Sequence, residues 1–118
     1  MRDAIIHFAE QFGWTPVIEN GEGTPKLASS TRYVLAGMGG SSLGGRLAQL
    51  LLPELDLLIH NDYGLPQKAD FVIVTSYSGN TEETLDAYEK AISNGLPTLA
   101  IAAGGKLLAR AQELHLPF

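Results

Sequence analysis

The densest chemistry in the sequence lies in Thr75-Ser76-Tyr77-Ser78-Gly79-Asn80-Thr81-Glu82-Glu83-Thr84-Leu85, where hydroxyl side chains crowd the passage from an apolar run into a helical one. Ser76, Ser78 and Thr81 can converge on a single tetrahedral anion, because each hydroxyl both donates and accepts. Gly79 frees the turn, and the helix start adds backbone N–H donors carrying about half a positive charge. Such a phosphate cradle needs no lysine. A plainer reading makes Asn80 the N-cap and Glu83 the N3 residue of a capping box. It explains Asn80 and Glu83 but leaves Ser76 and Ser78 without a purpose.

A second turn, Gly37-Met38-Gly39-Gly40-Ser41-Ser42-Leu43-Gly44-Gly45, also joins an apolar run to a helix. Its glycines let backbone N–H groups approach a ligand, with the Ser41 and Ser42 hydroxyls beside them. Three readings stay open on this turn alone. As a dinucleotide fingerprint it gives Gly37-x-Gly39-x-x-Ser42, with serine in place of the third glycine and Asp62 near the position of a ribose-binding acid. As a nucleophile elbow it gives Gly40-x-Ser42-x-Gly44, with Asp86 and His115 following in hydrolase order but no upstream strand to supply oxyanion donors. As a close-packed turn, its glycines simply let helix and sheet approach.

Acid–base candidates are few. Proton transfer at carbon needs a carboxylate or imidazole within about 3 Å of the reacting centre. Glu82 and Glu83 fall in the first helical turn beside the proposed phosphate, where charge repulsion opposes a second anion and capping suits them better. His60 ends an apolar run at the edge where ligands bind, a place where a lone histidine more often serves the sheet edge than catalysis. His7 and His115 have no positional argument, and no catalytic residue is assigned.

The elements that must position these turns follow from hydrophobic periodicity. Four short apolar runs, Tyr33 to Ala36, Leu57 to Ile59, Phe71 to Val74 and Thr98 to Ala102, read as buried strands. Helical stretches are expected over 41–51, 80–93 and 105–114, the second stopping at Asn94-Gly95. Strands without alternation, punctuated by helices, predict an α/β fold: a three-layer αβα sandwich with a mostly parallel sheet. The link Asn61 to Lys68 is too short for a crossover between parallel neighbours. Those two strands should therefore lie apart in the sheet, or a short helix is hidden near Leu65 to Ala69. His115 to Phe118 reads as the run-in to another strand, so the pattern is expected to stop before its last strand.

Ahead of this unit, Ile5, Ile6, Phe8, Ala9 and Phe12 recur at helical intervals up to Gly13, predicting a short amphipathic helix over 3–12. Residues 19–31 are rich in Gly, Pro and hydroxyls and read as a loop. The division is thus 1–29, N-terminal helix and linker, and 30–118, the ligand-binding domain. Trp14, Phe8, Phe12 and Phe118 are expected in the core or an interface.

The 118 residues carry 8 Lys+Arg against 13 Asp+Glu, a net charge of −5, no cysteine and 45% apolar residues, which suits one compact domain. The acidic balance and the lack of a basic cluster argue against nucleic acid as partner. No apolar run approaches the roughly 20 residues of a membrane helix. The first residues mix charge with aromatics and lack a secretion signal's apolar stretch, so a cytoplasmic location is expected.

The segment Ser76-Tyr-Ser-Gly-Asn-Thr-Glu-Glu-Thr-Leu85 resembles the phosphosugar-binding signature of the sugar isomerase (SIS) domain. Together with Tyr33-Val-Leu-Ala-Gly-Met-Gly-Gly-Ser41, Asn61-Asp-Tyr-Gly-Leu-Pro66 and Ala103-Gly-Gly-Lys106, it is similar to the N-terminal half of bacterial and archaeal bifunctional phosphoglucose/phosphomannose isomerases. The resemblance covers roughly residues 30–118 and implies a flavodoxin-like SIS fold. It implies aldose–ketose isomerisation of hexose 6-phosphates through a cis-enediol, without metal or cofactor. Ser76, Ser78 and Thr81 would hold the phosphate, and Gly39, Gly40 and Ser41 would touch the sugar. The family's glutamate base, histidine, arginine and lysine lie beyond the matched stretch. A homodimer, or pairing with a second SIS domain, is the implied assembly. The rival reading is a non-catalytic sugar-phosphate sensor; dinucleotide binding ranks last.

Overall fold

The computed structural model describes every residue except Met1, Arg2, Ala4, Ile5, Trp14, Leu27 and Ser29. The four apolar runs form β1 (Tyr33–Ala36), β2 (Leu57–His60), β3 (Phe71–Ser76) and β4 (Thr98–Ala102), ordered β2-β1-β3-β4 with every neighbouring pair parallel. β1 separates β2 from β3, as the short link between them required. No helix hides in that link; residues 61–70 are turns and bends.

Three α-helices cover the sheet: α1 (Leu43–Leu51), α2 (Glu82–Ser93) and α3 (Gly105–Glu113). Successive strand residues point to opposite faces. Ala36, Val72, Val74 and Ala100 therefore share one face, where they meet Ala87, Tyr88 and Ala91 of α2 and Leu107 and Ala111 of α3. α1 lies on the other face, its Gly45 backbone so near Leu35 and Ile59 that a Cβ there would press on both side chains. The result is the expected three-layer α/β arrangement.

The link between β2 and β3 folds onto α2. Tyr63 donates its hydroxyl to Glu82 at 3.3 Å, Gly64 N–H donates to Asp86 at 2.6 Å, and Leu65 and Ala69 pack against the core. α2 ends where Leu96 N–H bonds the Ala91 carbonyl at 3.0 Å and Gly95 N–H that of Ile92 at 2.9 Å. α3 closes in the same way, with His115 in the left-handed position at φ 52°. Beyond it, Ala100 N–H donates to the Pro117 carbonyl at 3.0 Å, and Phe118 exchanges backbone hydrogen bonds of 2.8 and 3.1 Å with Glu19. The last residues thus run beside β4, in keeping with their strand-like reading.

Two local expectations change. Over 3–12, Asp3 and Ile6 are α-helical, with His7 N–H bonded to the Asp3 carbonyl at 3.0 Å, and the segment then tightens to a 3-10 helix at Phe8–Gly13. Within the loop 19–31, Gly21–Gly23 makes a further 3-10 turn. Of the aromatics expected in core or interface, Phe118 packs on the core; Trp14 and the side chains of Phe8 and Phe12 lie outside the described set.

Candidate functional site

β1 leads to α1 on one face of the sheet and β3 leads to α2 on the other, so the loops after these adjacent strands diverge and leave a crevice at their carboxyl ends. The two chemistry-bearing turns are those two loops. Topology therefore brings together residues some 36 positions apart: the Ser41 hydroxyl accepts a hydrogen bond from Tyr77 N–H at 3.3 Å.

In the first loop, Gly39–Ser42 forms a 3-10 turn closed by the Ser42 hydroxyl, which donates to the Gly39 carbonyl at 2.8 Å. The glycines divide between two of the readings above. Gly37 is needed for packing: a Cβ would sit 2.7 Å from Thr75 Cγ2 and 2.9 Å from the Thr75 carbonyl oxygen. Gly40 has no neighbour within reach of a Cβ and opens on the crevice beside Ser41. Asn61, just past β2, holds the loop by donating Nδ2 to the Gly37 carbonyl, while its Oδ1 accepts from Arg46 at 3.4 Å.

In the second loop, Ser76 is the buried last residue of β3. Its hydroxyl lies 3.0 Å from that of Thr81 and accepts Gly79 N–H at 3.1 Å. The exposed Ser78 hydroxyl accepts Asn80 N–H at 3.3 Å. α2 starts at Glu82 behind Thr81, and its first intrahelical bond is Leu85 N–H to the Thr81 carbonyl at 2.9 Å. The N–H groups of Glu82, Glu83 and Thr84 precede that bond and are the helix's free positive end. Hydroxyls and helix end together gather several donors in one turn, a combination suited to an oxyanion.

The capping-box expectation does not survive. Thr81 flanks the helix, Glu83 stands second in it, and Asn80 lies outside. The Asn80 carboxamide is engaged elsewhere: Nδ2 donates to the Ser78 carbonyl and Oδ1 accepts Lys106 N–H, both at 3.1 Å.

From this crevice a cleft of about 860 Å³ extends down the α1 side of the sheet, over Leu35, Ile73 and Ile101, with Ser41, Thr75 and Tyr77 at its mouth. Among the described residues, no carboxylate, imidazole or cationic side chain lines it. Glu82 is occupied by Tyr63, whose phenol is raised above its ordinary value by burial first, then by Glu83 and Glu82. His60 Nε2 lies 3.3 Å from the Tyr63 carbonyl, a bond within its own loop.

The nucleophile-elbow residues are not assembled. Ser42 is spent within its turn, Asp86 binds Gly64 N–H and Lys90, and His115 sits after α3 in a hollow with Ile18, Asn20 and Glu22. Asp62, the candidate ribose ligand, accepts Tyr63 N–H at 2.7 Å.

No protein-family model matches the chain. Over 94 residues, 75% of its length, it is 41% identical to the bifunctional phosphoglucose/phosphomannose isomerase of Caldicellulosiruptor bescii, covering 28% of that protein. The isomerase of the same name from Thermoplasma acidophilum matches 91% of the chain at 34% identity, and that of Aquifex aeolicus 90% at 37%, with 36% and 33% of those proteins covered. The chain belongs to the bifunctional phosphoglucose/phosphomannose isomerase family. It spans about a third of the length of these curated relatives.

In this isomerase-family chain, three residues that shape the two loops had no binding-site role legible in the sequence: Asn61, Tyr77 and Asn80. Asn61 directly follows a strand, at the edge where ligands bind, which was the available signal. Asn80 was visible but given a helix-capping role that its carboxamide does not perform.

Proposed function

We propose that this chain supplies the phosphosugar-binding part of an aldose–ketose isomerase acting on glucose 6-phosphate or mannose 6-phosphate and fructose 6-phosphate through a cis-enediol. Residues 30–118 are the SIS-type binding unit and 1–29 its lead-in. Ser76, Ser78 and Thr81 bind the phosphate with the first turn of α2; Gly39, Gly40 and Ser41 meet the sugar. The observation that carries this is the 3.0 Å pairing of the Ser76 and Thr81 hydroxyls at the crevice where Ser41 crosses to Tyr77, in a chain related to isomerases named for phosphosugars. Phosphate fixes the ligand's end, and the cleft lined by Gly40 and Ser41 leaves room for the carbon chain.

A cleft lined by no carboxylate or imidazole, among the described residues, also favours a second reading: recognition without turnover, as in a sugar-phosphate sensor. Under the isomerase reading, the base enters from residues outside the cleft described here. A second SIS domain, in another copy or in the same protein, is the proposed partner. The exposed leucines of α1, Leu43, Leu47, Leu50 and Leu51, are the surface it would cover. A cytoplasmic location accords with a metabolic substrate of this kind.

The test is NMR titration with fructose 6-phosphate, free fructose and inorganic phosphate. Fructose 6-phosphate should perturb Ser41, Ser76 and Thr81, inorganic phosphate only the serine loop, and fructose neither. No response to either phosphate at millimolar concentration overturns the assignment. Isomerisation of fructose 6-phosphate by the protein separates the enzyme from the sensor.

A further inference from the structure

We infer that Asn80 is a positioning residue of the anion site, fastening the serine loop to the loop after β4 so that both move as one body. The inference rests on the phosphate-binding reading of Ser76, Ser78 and Thr81.

Asn80 is exposed, yet both ends of its carboxamide are committed to backbone groups, one in its own loop and one in the first turn of α3: Nδ2 to the Ser78 carbonyl and Oδ1 to Lys106 N–H. Around it, Ala103 N–H donates to the Tyr77 carbonyl at 3.1 Å and Leu107 N–H to the Gly79 carbonyl at 2.9 Å. The two backbones touch. A Cβ on Gly79 would overlap the Gly104 carbonyl oxygen, and one on Gly105 would overlap the Ser78 carbonyl oxygen. Both glycines also hold positive φ, 67° and 73°, where any side chain is strained.

The consequence concerns which helix end is left for a ligand. Every helix begins with N–H groups lacking an intrahelical partner. In α3, those of Lys106 and Leu107 are taken by Asn80 Oδ1 and the Gly79 carbonyl. α3 thereby braces the serine loop from behind, while α2 keeps its own first-turn donors for the crevice. Bridging the Ser78 carbonyl and Lys106 N–H together takes a side chain with both a donor and an acceptor, which the carboxamide supplies from its two ends. Aspartate keeps the acceptor alone, and alanine keeps neither.

The experiment compares the protein with its Asn80→Ala and Asn80→Asp variants by amide hydrogen exchange, thermal melting and NMR titration with fructose 6-phosphate. Asn80→Ala should melt within a few degrees of the parent, exchange the Lys106 amide at least about tenfold faster, and bind fructose 6-phosphate about tenfold more weakly. Asn80→Asp, which retains the acceptor, should keep Lys106 protected, and it keeps the test open if the alanine variant does not fold. Parent-like affinity in Asn80→Ala, or unchanged Lys106 exchange, overturns the positioning role while leaving phosphate binding intact. Failure of the parent protein itself to bind fructose 6-phosphate overturns the phosphate reading, and the positioning role with it.

Discussion

The hydroxyls of Ser76 and Thr81 lie 3.0 Å apart, one at the buried end of β3 and the other at the threshold of α2. Ser76 also accepts Gly79 N–H, so it shapes the turn. The Ser78 hydroxyl is exposed and, among the described residues, accepts only the local Asn80 N–H.

These two serines should therefore separate folding from binding. Ser78→Ala is expected to cost about 1–3 kcal/mol of fructose 6-phosphate binding with a nearly unchanged melting temperature. Ser76→Ala should weaken binding similarly and also lower stability by about 1–2 kcal/mol, because a buried N–H and the Thr81 hydroxyl lose a partner. Calorimetric titration and denaturant unfolding of both variants check this; equal stability losses would contradict it.

His115 occupies the left-handed position after α3 at φ 52°, where Leu116 N–H reaches the Ala111 carbonyl at 3.0 Å. A non-glycine residue there bears a conformational penalty of about 1–2 kcal/mol, partly offset by glycine's greater freedom when unfolded. His115→Gly should raise stability by about 0.5–1 kcal/mol in urea unfolding. A loss would show that the imidazole makes a compensating contact.

Tyr88 is fully buried on the inner side of α2, its hydroxyl without a hydrogen-bond partner among the described residues, and burial pushes its phenol up to about 12. Removing an unpaired buried hydroxyl relieves its desolvation cost. Tyr88→Phe is expected to be more stable by about 1 kcal/mol, measured by chemical denaturation. A destabilised variant would mean that the hydroxyl is satisfied by water.

Asp86 joins Lys90 at 2.7 Å and Gly64 N–H at 2.6 Å, and these, the lysine first, hold its carboxyl below the ordinary 3.8. A lowered folded pKa gives stability that is present above the unfolded value and lost as pH falls through the folded one. The link 61–70 should therefore loosen below about pH 4. Asp86→Asn should remove that pH step in the NMR shifts of Gly64; persistence of the step would assign it to another group.

Much of the fold was legible in the chain because local signals agreed with one another. The runs at Tyr33 and Thr98 became strands with the expected limits, and the short link after Asn61 correctly separated β2 from β3. Apolar runs bounded by Gly, Asn and Pro express burial directly, and burial is what a parallel sheet requires of its strands. The hydroxyl-rich turn was likewise visible as a type of chemistry before any geometry was known.

Tertiary structure alone decided what those residues touch. Nothing local could tell that Ser41 would meet Tyr77, that Asn80 would leave its helix to hold Lys106, or that Gly79 and Gly105 would face each other without room for a side chain. Each relation joins residues 26 to 36 positions apart. Their meeting is set by strand order, which brings distant loops to one edge: the β1 and β3 loops part toward opposite faces, while the β3 and β4 loops lead to helices on the same face. Residue type limited the chemistry to oxyanion recognition, and the crossing of β1 and β3 loops determined where it could occur.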